Sequence, residues 1–450
     1  MSKKTSSSPS LRTLKNQCDE ISLKSGEQVL LVTAPDPEST LATALLSRAI
    51  MKTGGTFHVS FEQPVMNLNS INAIRTEHES SIIILVGIDT MGKKKLRKGK
   101  SYPIFVGGTS ESEQVTPLTL GNTHTVSAAA YILAREHLTV SDYELQMAAA
   151  AALIYDKSHK SPKKSSTANK GLVKQAIDEN LLEKRGGIRL FGYSFLPLDE
   201  VLLLSTRPYI QGISGDQKMC DAFLRETDVP ITKLRTPMSS LSNSEIQHFI
   251  QYLTSILLEK VGPSIISHTF GTDYILTREN ESGPLRYLSG LETIANTVWA
   301  RQELGAAMSI WIGDRGRALR TVIDTYLSHC KDVISTVQRL ETKMEGTSSE
   351  ASTSIELAGV RDELLTDVGR VVLQSEIVSS ERPLAISNED SSVIIWTYNN
   401  VNVNQIIHIL EKQNLSPVTT STQSIKFEEM TLELKMEILK RVKGLSEKRR

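Results

Sequence analysis

The feature that most constrains this chain is a strand–turn–helix pattern near its start. Gln28 to Thr33 reads QVLLVT, an unbroken run of β-branched residues and Leu, as expected of a strand buried on both faces. A helix-start signal follows in APDPEST, with Asp36 as N-cap, Pro37 at the first helical position and Glu38 in the first turn. The helix runs on through LATALLSRAIMKT and stops at Gly54-Gly55. Thr56–Phe61 (TFHVSF), Ser81–Gly87 (SIIILVG) and Tyr102–Val106 (YPIFV) are three further strands. Strands separated by helices place the chain in the α/β class, with a doubly wound parallel sheet. Helices near Val126–His137 and Asp142–Tyr155 close this unit.

Beyond it the pattern changes. Asp156 to Lys170 (DKSHKSPKKSSTANK) is rich in Ser and Lys and reads as an exposed loop or linker. From Gly171 to about Ser282 the chain reads as mainly helical. The strongest helix there is Ser244–Lys260, with Ile246, Phe249, Ile250, Leu253, Ile256 and Leu257 on one face. From Gly283 helix and strand alternate again: helix Leu285–Leu304, strand Ala307–Gly313 and long helix Arg317–Lys343. Short strands follow near Val371, Leu384 and Val393, with helices at Asn404–Lys412 and Phe427–Lys443. The expected layout is a tail and lead-in (1–24), an α/β domain (25–170), a mainly helical inserted region (171–282) and a second, smaller α/β domain (283–450). No internal repeat is visible.

Composition removes several function classes. At 450 residues the chain is long enough for about three domains and a sizeable core. Lys plus Arg and Asp plus Glu each number 51, which argues against a polybasic nucleic-acid coat while leaving room for a local basic patch. Aromatic residues make up 5%, too few to pave a base-stacking surface. Cys18, Cys220 and Cys330 are odd in number and far apart, so they form neither a disulfide framework nor a zinc spacing, which fits a reducing cytosol. The first residues, MSKKTSSSPS, are basic without an apolar stretch, so no signal peptide is expected. The longest apolar run, Met147 to Tyr155, is half of what a membrane helix needs. A soluble, cytoplasmic protein is expected, with no membrane partner.

Three strings carry a resemblance to the archaeal RecJ-like DHH phosphoesterase family, which includes the GINS-associated nuclease. VLLVTAPDPESTLATALLSRAIMKTGGTFHVSF resembles that family's first strand, turn and helix. The segment from Gly171 to Gln217 is more specific: Leu190-Phe191-Gly192, Ser205–Tyr209 and Gly212–Gly215 match its leu-phe-gly, ser-thr-x-pro-tyr and gly-ile-ser-gly turns. LSGLETIANTVWARQELGAAMSIWIGDRGRAL resembles the start of the DHH-associated domain. The resemblance covers residues 25 to 330 and thins beyond them.

The resemblance implies a phosphodiesterase centre in which carboxylates and imidazoles hold two divalent ions. In this chain the family's first-turn His falls at Ala34, its first Asp at Asp36, its second at Glu38, and its next strand-end acid at Gly87. The Asp-His-His signature falls at Gly107-Gly108-Thr109, and a later helix-end Asp is kept as Asp156. Every imidazole ligand and the bridging acid are therefore missing. Asp36, Glu38 and Asp156 remain as candidates for one weakly held Mg²⁺, although an N-cap and a first-turn acid account for two of them without metal. The family's glycine- and histidine-rich substrate loop falls near Asn414–Ser424, which contains neither residue.

Two basic runs remain: Lys93, Lys94, Lys95, Arg97, Lys98 and Lys100, and Lys157, Lys160, Lys163, Lys164 and Lys170. They read either as a groove for single-stranded nucleic acid or as solvated loops. Gly107-Gly108-Thr109-Ser110 lacks phosphate-loop spacing. The resemblance implies a catalytically degenerate member, similar to the replication factor that joins MCM and GINS in eukaryotes. Its expected role is a scaffold that binds GINS and MCM, with single-stranded DNA as a further ligand and no cofactor. The alternative is an active single-strand exonuclease or phosphodiesterase using Mn²⁺ or Mg²⁺. A third class is a nucleotide-binding regulator. In the family the helical region between the two domains is where GINS docks, which makes Ser244–Lys260 the candidate contact and Phe249 and Tyr252 its exposed anchors, unless that apolar face is core.

Overall fold

The computed structural model describes residues 11–19, 21, 23, 26–79, 81–91, 103–107, 117–118, 126–158, 167–260, 266–344, 354–397, 419–420, 424–427 and 432–447. Helix α1 (Leu11–Cys18) precedes strand β1 (Gln28–Thr33), helix α2 (Pro37–Lys52), β2 (Thr56–Phe61), β3 (Val65–Asn67) and α3 (Leu68–Glu77). Then come β4 (Ile82–Val86), β5 (Asp89–Met91), β6 (Ile104–Val106), β7 (Pro117–Leu118), α4 (Val126–His137), α5 (Asp142–Ser158), α6 (Thr167–Asp178) and β8 (Leu182–Ile188). Next are the helices α7 (Leu198–Leu203), α8 (Gln217–Arg225), α9 (Asn243–Lys260) and α10 (Ile266–Thr269), and strand β9 (Phe270–Leu276). They lead to α11 (Leu288–Ala300), α12 (Leu304–Ile312) and α13 (Arg317–Met344). The last elements are β10 (Ser354–Glu356), α14 (Leu365–Gln374), β11 (Leu384–Ser387), β12 (Ser392–Ile395), β13 (Thr419–Thr420), β14 (Ser424–Phe427) and α15 (Leu432–Glu447).

Two compact units share this chain: residues 1–185 with 274–323, and residues 186–273 with 324–450. The boundaries read from composition, near 170 and 282, do not coincide with these divisions. Helices α5 and α6, which flank the Ser/Lys-rich stretch in sequence, pack on each other, so both belong to the first unit.

The first unit is built on a five-stranded parallel sheet of order β2-β1-β4-β6-β7. The strand order reverses beside β1, with β2 on one side and β4 on the other, which is the doubly wound topology expected. β1 buries five of its six residues, and β6 buries all three. α2 is buried almost all round, because α4, α5 and α12 all pack on it. Its small side chains, Ala42, Thr43, Ala44, Ser47 and Ala49, let those helices approach closely.

The second unit carries a mixed sheet of order β10-β11-β12-β14-β13, parallel only between β10 and β11. Its core joins Val333, Ile334 and Val337 of α13 to Val368, Val371 and Val372 of α14 and to Ile386, Val393 and Ile395 of the sheet. Gly369 lets α14 lie directly on that sheet, since a Cβ there would stand 2.4 Å from Cδ1 of Ile395.

Four sequence expectations are corrected. Ala307–Gly313 is not a strand but most of α12, whose buried Ala307, Met308, Ile310 and Trp311 follow a helical spacing. Val371 lies inside α14. In both places a short apolar run satisfies either period, and packing decides. Phe427 ends β14 rather than opening a helix, which begins at Leu432. The region 171–282 also holds β8 and β9, a two-stranded sheet. β8 reads LEKRGGI, which has no apolar alternation to announce it. The helix expected at Asn404–Lys412 lies outside the described residues.

Candidate functional site

In doubly wound sheets, ligands bind beyond the carboxyl ends of the strands where the strand order reverses. Here that place is the exit of β1 and β4. Three of the positions that the sequence resemblance assigns to metal ligands, Ala34, Gly87 and Gly107, come together there. The Ala34 amide donates to the Val86 carbonyl at 3.0 Å, and the Gly87 amide donates to the Val106 carbonyl at 2.9 Å. Ala34, Gly87 and Gly107 thus stand side by side as the first residues past β1, β4 and β6.

At Gly87 and Gly107 there is no room for a ligand side chain. Gly87 has a φ of +66°, and a Cβ built on it would stand 1.9 Å from Ser39 Oγ and 2.9 Å from Ser39 Cβ. Gly107 has a φ of +79°, and its Cβ would stand 2.6 to 2.9 Å from the side chain and Cα of Val126. Both values of φ lie in the left-handed region that favours glycine. Ala34 is fully buried. The space that would hold metal-binding groups is filled by Ser39 of α2 and Val126 of α4. The sequence resemblance places the family's first-turn Gly at Ser39, but neither the packing of Ser39 nor that of Val126 is visible in the sequence. The glycine-for-acid replacements at Gly87 and Gly107 were the available signal, but not what occupies the space.

The three surviving acids are nearby and otherwise engaged. Asp36 caps α2: its Oδ1 accepts the amides of Glu38 and Ser39, each at 3.0 Å. Glu38 is buried, and its Oε1 accepts from the Ser127 amide at 3.3 Å and the Ser127 hydroxyl at 3.2 Å. Burial, followed by the charge of Asp36, pushes the Glu38 carboxyl up to about 8; Ser127 opposes this and Asp156 adds to it. A carboxyl with that value is mostly protonated at neutral pH and makes a poor ligand for a hard cation. Asp156, near the end of α5, accepts from Asn169 Nδ2 at 3.0 Å. Burial, then the charges of Glu38, Asp156 and Asp36, raises the adjacent Tyr155 phenol to about 12. The acids therefore share one electrostatic neighbourhood. Among the described residues, however, no three His, Cys, Asp or Glu side chains are arranged to hold a metal ion. This donor set does not fit the two-ion centre that the family resemblance implies.

The remaining candidates divide in two. Gly108, Thr109, Lys93, Lys94, Lys95, Arg97, Lys98, Lys160, Lys163 and Lys164 lie outside the described residues. Lys170, at the edge of the second basic run, lines a cavity of about 310 Å³ beside Asp156, with Leu153, Val173, Lys174 and Ile177. The anchors expected on α9 need correction. Phe249 is fully buried and meets Phe223 edge-on, with ring centroids 6.0 Å apart. Tyr252 is half-buried against the same ring at 5.1 Å. The apolar face of α9 is core, closed by α8. Among the described residues from α8 to α9, Met219, Ile231 and Leu258 are exposed large apolar side chains. No helix among the described residues is long and apolar enough to cross a membrane.

No protein-family profile matches the chain, and no curated protein matches it. Solved structures do. The chain is similar to RecJ in complex with Mn²⁺ from Thermus thermophilus (TM-score 0.44, 13% identity, 97% of this chain and 55% of that one). A second RecJ exonuclease bound to manganese aligns with a TM-score of 0.43 at 12% identity, over 98% of this chain and 95% of that one. The crystal structure of CDC45 from Entamoeba histolytica aligns with a TM-score of 0.53 at 10% identity, covering 96% of this chain and 97% of that one. Mixed α/β architecture, a doubly wound parallel sheet and near-complete coverage of both chains identify the fold as the one that CDC45 adopts.

Proposed function

We propose that this chain is a catalytically inactive, RecJ/DHH-like replisome scaffold that binds GINS and MCM, with single-stranded DNA as a further ligand. The observation that carries the reading is the filled strand-end site. A side chain at Gly87 or Gly107 would collide with Ser39 or Val126, so these two strand ends cannot take a ligand side chain without repacking, and the acids that remain nearby are a helix cap, a buried carboxyl bonded to Ser127 and a partner of Asn169. A fold built around such a centre is better explained by binding than by chemistry. The likeness to CDC45, a replisome factor, supports replication partners, and the sequence resemblance supplies GINS and MCM.

With Phe249 in the core, the partner contact moves to the exposed apolar side chains of the same region, Met219, Ile231 and Leu258. Standard interfaces concentrate their energy in a few such side chains. The test is co-purification of the tagged full chain from extracts of its own cells. GINS and MCM subunits should come down with the wild type, and Ile231→Asp should lose GINS while keeping its unfolding midpoint. An extract in which neither complex is recovered would remove the scaffold reading.

A further inference from the structure

In the second unit, far in sequence from the strand-end site, three cationic or proton-carrying groups converge on one carboxylate. Arg207 Nη2 donates to Oδ1 of Asp367 at 3.0 Å, and Arg370 Nη1 donates to the same oxygen at 2.7 Å. His329 Nε2 lies 2.9 Å from Oδ2. Each comes from a separate piece of chain: Arg207 from the Ser205–Tyr209 segment, His329 from α13, and Asp367 and Arg370 from α14.

The segment bearing Arg207 is held in place. Ser205 Oγ donates to the Pro208 carbonyl at 2.6 Å, and the Tyr209 hydroxyl donates to Glu341 Oε2 at 2.8 Å. Thr206 Oγ1 lies 3.9 Å from Cys330 Sγ on α13. The guanidinium is therefore presented by a fixed loop over two packed helices.

The charges do not balance. Two guanidiniums and an imidazole face a single acid, so the cluster carries an excess of at least one positive charge. Each arginine spends one nitrogen on Asp367 and keeps the rest of its donor fork. The Arg207 side chain is 54% exposed, whereas Arg370 and His329 are 25% and 21% exposed, so the outermost donor overlies two more enclosed ones. Burial would raise the Asp367 carboxyl, but the hydrogen bond with His329 and the charges of Arg207 and Arg370 outweigh it and hold the acid well below the usual range. Burial and the nearby charge of Arg207 lower Arg370 to about 10, with Asp367 opposing. One carboxylate does not compensate both guanidiniums, and an anion accepting from their remaining N–H groups would.

We propose that Arg207 and Arg370 form a binding site for a phosphate oxyanion, with Asp367, itself held by His329, as the positioning residue that keeps the two guanidiniums together. Paired guanidinium forks suit a tetrahedral oxyanion, which accepts several charge-assisted hydrogen bonds at once. The phosphate is either free or part of a single-stranded nucleic-acid backbone. The site stands apart from the scaffold reading, and its test uses no partner protein.

The test is calorimetric titration of the full chain with inorganic phosphate. Saturable binding is expected that equimolar chloride does not reproduce. Arg207→Gln should weaken it at least about tenfold, the factor set by one charge-assisted hydrogen bond. Arg207 is exposed, so the phosphate-free unfolding midpoint should stay in place. Arg370→Gln should weaken binding likewise, and Lys343→Gln, an exposed charge elsewhere on α13, should not. A short single-stranded oligonucleotide forms the second arm. Binding that phosphate displaces and Arg207→Gln weakens assigns the phosphate to nucleic acid. Oligonucleotide binding that ignores Arg207→Gln, alongside phosphate binding that does not, assigns it to the free ion. Absence of saturable phosphate binding, or equal affinity in wild type, Arg207→Gln and Arg370→Gln, overturns the site.

Discussion

Restoring a side chain at Gly87 should damage the first unit in a measurable and divisible way. Two costs apply to Gly87→Ala. A φ of +66° is unfavourable for any residue with a Cβ, by about 1 to 2 kcal/mol. The new Cβ also meets Ser39 Oγ at 1.9 Å and Ser39 Cβ at 2.9 Å. Because Ser39 is buried on α2, relief requires a shift of the helix or strand, an overpacking cost of about 1 to 3 kcal/mol. Gly54 supplies the control: its φ is +80° and nothing lies within 4 Å of its Cβ position. Gly54→Ala should therefore show only the backbone cost. The gain from restricting the unfolded chain is common to both substitutions and cancels in the comparison. In urea unfolding, Gly87→Ala should be less stable than Gly54→Ala by about 2 kcal/mol, and adding Ser39→Ala should recover part of that difference by removing the closer contact. Equal costs at the two glycines, or no recovery with Ser39→Ala, would refute the claim that the strand-end site is sterically filled.

Other outcomes follow from the same neighbourhood and from the second unit. Asp36→Ala should cost about 1 kcal/mol through loss of the α2 cap, read as a lower urea midpoint; no loss would mean that Asp36 is free for another role. Glu38 has a folded pKa of about 8 against an ordinary 4.5, so the folded state binds the extra proton between those values and stability falls as pH rises from about 4.5 to 8. Glu38→Gln should remove that fall, gaining on the wild type toward pH 8 and matching it near pH 4.5; a difference between the two proteins that is flat with pH would sink the assignment. Phe249→Ala should cost about 3 to 5 kcal/mol as a core cavity, whereas Ile231→Asp should cost little. A stable Phe249→Ala protein that loses only GINS would restore the anchor reading.

Much of the first unit is legible in the sequence because local and tertiary demands agree there. QVLLVT suits only a strand covered on both faces, and APDPEST carries cap, proline and first-turn acid in register, so β1 and α2 fall where expected. SIWI and RVVL do not identify themselves, since three consecutive apolar residues fit either period and the burial of Trp311 or Val372 is settled by distant segments. The amphipathic face of Asn243–Lys260 is visible in sequence, but not whether it meets α8 or a partner. That choice depends on Phe223, twenty residues and more away. At the candidate site the absent acids are readable one position at a time. That Ser39 and Val126 occupy the vacated space is a fact of packing between elements and has no local signature. The Arg207–Asp367–Arg370 cluster is equally silent, because Arg207 lies 160 residues before Asp367.

The most direct measurement of the central claim is cleavage of 5′-labelled single-stranded DNA by the pure full chain in Mn²⁺ or Mg²⁺, run beside Asp36→Ala and Asp156→Ala. With the strand ends closed by Ser39 and Val126, the account predicts that the labelled strand stays intact in all three proteins. Cleavage by the wild type that disappears in a variant still folded by circular dichroism would contradict it, because that pattern points to a metal centre built on those acids.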